Sequence, residues 1–206
     1  CSAATEVENR LATLEARQKA LEDKWADQPV VTAGAEGFSL KSPDGSIGIR
    51  FFGDIQLDGR FYVSDKAGSF TDTFLLRRLR PGFEMNGYGI LKARFQPNFG
   101  GSSVSLDDGY FDFIVSPEAT FRLGRYKPPV GLENLQASTR LTFVERGLPT
   151  NLVPGYDEGA QIHGVLSQGR VSYAVSVSNG APDGAGVAAD HADGKTVSAR
   201  LFVEPL

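Results

Sequence analysis

Basic residues recur at alternating positions along several stretches of this 206-residue chain. Arg50, Arg60, Arg78, Arg80, Lys92, Arg94, Arg122 and Arg200 share a polar register with Asp54, Asp58, Glu84, Asp108 and Asp112. Eight bases against five acids leave that register positive, although the whole chain carries -4. A guanidinium offers a planar fork of donors that fits phosphate, sulfate or carboxylate. Arrayed along a passage with low-dielectric walls, such groups concentrate anions and exclude cations. The competing reading is that these charges only keep one side of a sheet wet.

Other chemistry finds little support. The two histidines are His163 and His191, and Ser167 near His163 makes no triad by spacing alone. Asp190, His191 and Asp193 sit in a Gly/Ala/Asp-rich stretch that reads as a solvated surface segment. No enzyme activity, metal or cofactor is expected. A pI near 5.3 argues against a nucleic-acid partner. The single cysteine, Cys1, excludes an internal disulfide and a Cys-rich zinc site. Two readings of it compete: an acylated lipoprotein terminus, or simply the first residue of the numbering. No run of about 20 apolar residues exists, which rules out a spanning helix but not a spanning barrel.

The elements that must position these charges follow in order. Residues 1–27 form a helical segment in which Val7, Leu11, Leu14, Gln18, Leu21 and Trp25 make a heptad seam. The expected partner is the same helix from another copy, with Gln18 fixing register; the alternative is a helix lying on its own domain. Residues 28–46 read as linker and short hairpin, with a turn at Ser42-Pro43-Asp44-Gly45-Ser46. From Ile47 to Val63 strict alternation runs far beyond a typical strand. Further alternating runs centre on residues 78–85, 91–99, 108–115, 120–124, 161–166, 171–178 and 197–203. Arg77 and Arg125 fall on the apolar side of this alternation, where a bulge re-aims them or they snorkel.

Short turns alternate with long connections, the plan of an antiparallel outer-membrane β-barrel. A soluble two-sheet sandwich gives the same repeat with its apolar face inward. The longest connection, residues 127–158, holds Pro128, Pro129, Pro149 and Pro154 beside apolar anchors at Leu132, Leu135, Leu141, Phe143 and Val144. A solvated linker would not need those anchors, so this loop is expected to pack on its own scaffold.

Leu76-Arg77-Arg78-Leu79-Arg80-Pro81-Gly82, the run Leu123 to Glu133 and the run Leu141 to Pro149 resemble the phosphate-selective porin O and P family. The likeness runs from about Ile47 onward. It implies a homotrimer of sixteen-stranded all-β barrels in the bacterial outer membrane, of which residues 47–206 give about eight strands, the N-terminal half. It implies that 127–158 is an inward-folded constriction loop, and that Arg77, Arg78 and Arg146 stand at anion-contacting positions with Asp107 at a matching acidic one. Arg80, Arg94, Lys127 and Arg140 join the candidate lining. Two positions depart from the pattern: Asp54 stands where well-known members have an arginine, and Asn134 where their loop has a lysine. Both changes remove positive charge. The expected function is passive diffusion of small anionic solutes such as phosphate, with outer-membrane lipids around the barrel and the helix in the periplasm. The alternative is a lipid-anchored protein tying the outer membrane to peptidoglycan through its coiled coil.

Overall fold

The computed structural model describes residues 2–34, 37–63, 70–101, 103–143, 145–180 and 193–204. The expectations for Cys1, Val144, Asp190 and His191 lie outside the described residues. A helix, α1 (Ser2–Ala26), leads into ten strands. These are β1 (Val30–Gly34), β2 (Gly37–Lys41), β3 (Ile47–Arg60), β4 (Thr73–Gly87), β5 (Leu91–Asn98), β6 (Ser105–Ser116), β7 (Ala119–Tyr126), β8 (Asp157–Leu166), β9 (Val171–Ser178) and β10 (Thr196–Val203). They form one antiparallel meander in chain order, open at β1 and β10. The arrangement is consistent with part of a β-barrel. No helix among the described residues is long and apolar enough to cross a membrane.

One boundary differs from the sequence reading. Val30–Gly34, expected as linker, pairs with β2 from Val30↔Lys41 to Gly34↔Gly37. Its β-branched Val30-Val31-Thr32 core suits a strand. The eight strands expected in residues 47–206 are β3–β10, and the two arms of the preceding hairpin bring the sheet to ten.

Burial is inverted relative to a soluble protein. Leu57 is 75%, Phe74 85% and Val115 72% exposed, whereas Arg125 and Gln96 are 5% and Asp157 1% exposed. Only Tyr126 and Ala174 make up the buried hydrophobic set among the described residues. A sandwich would bury its apolar face; here the polar face is the covered one. Strands of 14, 15 and 12 residues (β3, β4, β6) exceed the 9–11 or so that a tilted strand needs to cross a bilayer. Aromatic rings pair across the apolar face, as at Phe83–Phe95 with centroids 5.5 Å apart.

Because the strands follow one another, their connections alternate between two ends. Residues 42–46, 88–90, 117–118 and 167–170 turn at one end; residues 61–72, 99–104, 127–156 and 179–195 connect at the other. The tight turn after β4 uses Tyr88 (φ 52) and Gly89 (φ 70), left-handed positions that hairpin turns demand. α1 reaches β1 at the short-turn end. Every described side chain on it is exposed, including Val7, Leu11, Leu14, Leu21 and Trp25, so it does not lie on the sheet. Gln18 donates to Glu22 at 2.9 Å along the helix.

Candidate functional site

Strand register sets the polar face out in rows that cross the sheet. One row runs Arg50, Glu84, Arg94, Tyr110, Gly124, Gly159, Ser178. The next towards the short turns runs Asn86, Lys92, Asp112, Arg122, Gln161, Ser176. Directly opposed residues on neighbouring strands touch, so alternating sign along a row produces ion pairs. Arg122 grips Asp112 through Nε at 2.7 Å and Nη2 at 2.8 Å. Arg94 donates to Asp108 at 2.9 Å and also bonds Glu84, which Arg50 meets from the other side. Arg80 holds Asp54 through Nε (3.0 and 3.2 Å) and Nη2 (2.7 Å), and reaches Asp107 at 3.3 Å.

Two bulges add charge to this face. Gln56 pairs with Arg78 while Leu57 pairs with Leu76, leaving Arg77 as the extra residue. A bulge sets two residues against one and turns the added side chain. Arg77 thus points with its polar neighbours and bonds Asp58 (3.1 Å) and Glu145. Asp107 is the extra residue of β6, between Leu106↔Pro97 and Asp108↔Gln96. Arg125 stays in the apolar register and is neutralised there: it donates to Glu158 and to the Leu106 carbonyl, each at 2.6 Å.

Aromatic residues inside the polar register support the guanidinium groups. Phe52 lies against Gly82, where any Cβ would come within 2.7 Å of its ring, and carries Arg94 at 4.4 Å and Arg50 at 5.4 Å. Tyr110 faces Gly124 and carries Arg122 at 3.7 Å. Gly124 (φ 127) leaves no room for a side chain, since a Cβ would sit 2.3 Å from the Gly109 carbonyl oxygen. Sequence patterning places Phe52 and Tyr110 among polar residues, and the facing glycines are the signal that reveals their support role.

The connection 127–156 lies over this face. It contains a short helix, α2 (Leu132–Leu135), and two 3₁₀ turns at Ser138–Arg140 and Leu148–Leu152. Ser138 accepts from Arg80, and Glu145 accepts from Arg77. Between loop and strands remains an open cleft of about 350 Å³ bordered by Asp54, Arg80, Arg94, Asp108, Lys127, Ser138 and Tyr156. The loop is tied within itself. Asn134, buried, donates to the Pro154 carbonyl at 2.9 Å, and its own carbonyl accepts from Lys127 at 2.6 Å. Arg146 donates to the carbonyls of Glu133 (3.2 Å) and Gln136 (2.8 Å), while the Glu133 carboxylate caps Gly147 N–H.

Charge in the loop follows its surroundings. Burial pushes Lys127 down to about 8, and the Arg146 guanidinium adds to the effect. The hydrogen bond from Arg77 holds Glu145 below the usual carboxylate range. Burial raises Tyr156, with the Asp108 and Asp107 charges acting in the same direction.

Of the residues singled out in the sequence, Arg50, Arg77, Arg80, Arg94 and Arg122 are brought together with carboxylates rather than left bare. Arg60, at the strand end, stands 3.7 Å from Asp58. Arg78 donates to Gln56 and has Arg77, Arg80, Arg146 and the Asp54 carboxylate as its charged neighbours. Among the described residues Arg78, Lys127 and Arg146 form no ion pair and gather where loop meets strands, and Arg200 on β10 forms none either. Lys92 and Arg140 are exposed and stand apart from that group. No cluster of potential metal ligands occurs among the described residues.

A family model described as phosphate-selective porin O and P matches residues 49–206. Comparison with curated proteins finds no match.

Proposed function

Because the chain belongs to the phosphate-selective porin O and P family, we propose that it passes small anionic solutes, phosphate among them, by passive diffusion through an outer-membrane pore. The carrying observation is the placement of the long connection over the polar face, with Arg78, Lys127 and Arg146 where the two meet. Solutes move through the cleft this leaves, and the unpaired cations lower the barrier for anions without forming a deep well. Asp54, locked onto Arg80, cancels one positive charge at that level, so anion preference is weak. The apolar face meets outer-membrane lipid.

The working unit is a homotrimer. Each α1 displays an unpartnered stripe of Val7, Leu11, Leu14, Leu21 and Trp25, with Gln18 in the same seam. Three short helices pairing along this seam are marginal alone and gain from barrels that already associate. The helix enters at the short-turn end of the sheet, and short turns of bacterial barrels face the periplasm. That placement supports a periplasmic coiled coil.

The test is the reversal potential of the full-length native oligomer in a planar bilayer under a salt gradient, with and without phosphate. Anion preference that falls when Arg78 and Arg146 are both changed to Ala is the expected result. Channels that prefer cations refute the anion reading, and absence of channels refutes the pore.

The exposure of every described side chain on α1 favours a second role, a tether from the outer membrane to peptidoglycan. Deleting residues 1–30 separates the roles: lost envelope integrity with intact conductance supports tethering, and an unaffected envelope refutes it.

A further inference from the structure

We infer that an oxyanion subsite lies on the polar wall of β8–β10, beneath the long connection, with His163 and Arg200 as its donors. The inference rests on the pore reading above.

The register creates the site. Ala174 of β9 pairs with His163 of β8 on one side and with Arg200 of β10 on the other. Neighbouring strands stand about 4.8 Å apart, so the two long side chains flank a single methyl across roughly 10 Å. Ala174 is the buried floor of this gap, 2% exposed. A hollow of about 290 Å³ opens there, with Arg122, Lys127 and Gln161 also on its border.

Among the described residues, each flanking residue carries a nitrogen that no hydrogen-bond acceptor or donor approaches within 3.5 Å in bonding geometry. Nε2 of His163 and Nε of Arg200 are closed off from solvent without a hydrogen-bond partner. Asp112 lies 4.0 Å from His163 Nε2, too far for a hydrogen bond, and its carboxylate is already occupied by both arms of Arg122. Buried polar nitrogens are nearly always satisfied, and with the imidazole proton on Nε2 both orphans are donors that call for one acceptor between them. Arg122, Arg200 and Lys127 outweigh Asp112 around the gap, which selects an anion. A tetrahedral oxyanion of the phosphate type offers several acceptor oxygens in a compact body and bridges donors on either side of a methyl.

The subsite lies on the short-turn side of the loop. β8 begins at Asp157 beside the connection and runs past His163 to the turn at 167–170. Phosphate arriving from that side reaches His163 and Arg200 without passing the loop.

The experiment uses the full chain in planar bilayers, with orientation assigned by protease cleavage of the N-terminal helix. Block of chloride current by inorganic phosphate is titrated from each side separately. His163→Gln and Arg200→Gln are each expected to weaken block from the short-turn side roughly tenfold, the worth of one hydrogen bond to a charged group. Block from the other side stays unchanged. Ala174→Leu fills the floor without altering charge and weakens the same side, whereas Arg200→Lys restores part of the block. Unchanged block in both Gln variants overturns the subsite while leaving the pore intact, as does an equal loss from both sides. Absence of channels in the unaltered protein overturns the pore reading and the subsite together.

Discussion

Replacing Asp54 with Asn gives the sharpest test of how this polar face treats ions. Asp54 accepts three hydrogen bonds from Arg80, whose own side chain is almost fully covered. The substitution keeps the shape and one acceptor oxygen, and Arg80 retains Asp107 at 3.3 Å and Ser138. The fold should therefore survive, and one negative charge disappears from the rim of the cleft. For an ion passing about 8 Å away, that charge is worth about 0.5 kcal/mol in a water-like dielectric and about 2 kcal/mol at an effective dielectric near 20. An anion gains this energy and a cation loses it, so the anion-to-cation permeability ratio rises roughly fivefold even at the water-like limit. The assay is the reversal potential at about 0.01 M salt, where the Debye length near 30 Å leaves most of the effect unscreened. An unchanged ratio in folded channels would show that ions do not pass Asp54. A shift towards cations would refute the sign of the reasoning.

Three further outcomes follow from the same geometry. Glu145→Gln removes the carboxylate that Arg77 and Arg60 share, so the loop loosens and single-channel conductance rises; equal conductance and unaltered gating noise would count against the loop's being held there. Lys127, held at about 8 against an ordinary 10.5, loses its charge as pH rises through 8. Anion preference should fall over that step and stop doing so in Lys127→Met. The unfolded chain binds the extra proton between about 8 and 10.5, so stability rises with pH across this window, checked by urea titration. Leu123→Arg places a charge on the apolar face of β7 and should cost about 2–4 kcal/mol in bilayer refolding if that face meets hydrocarbon near the midplane. A cost near zero would mean that Leu123 faces water or protein.

Strict alternation made the sheet readable, because a period of two fixes which side chains share a face before any partner strand is known. Arg50, Arg80, Arg94 and Arg122 were placed together on that ground alone. What alternation cannot supply is the pairing between strands, and pairing decides whether a guanidinium faces solvent or a carboxylate. The register excess of positive charge was countable in the sequence; its local cancellation at Arg80–Asp54 and Arg122–Asp112 was not. Arg77 broke the pattern because a bulge is a property of two strands, visible only when Leu57 is seen opposite Leu76. Arg125, its apparent twin, needed no bulge but a partner from beyond the long loop, Glu158. β1 was hidden by its length and its glycines, which read as linker until β2 offers hydrogen bonds.

The two bulged residues give the wall an adjustable charge. Removing residue 77 would bring Leu76 and Arg78 into direct succession and restore an unbroken ladder, with every lipid-side chain unmoved. Removing residue 107 would do the same for Leu106 and Asp108. A single-codon insertion or deletion at either point therefore changes the lining by one unit of opposite sign while the membrane-facing surface stays as it was. Selection can retune what such a strand attracts without renegotiating how it sits in the lipid.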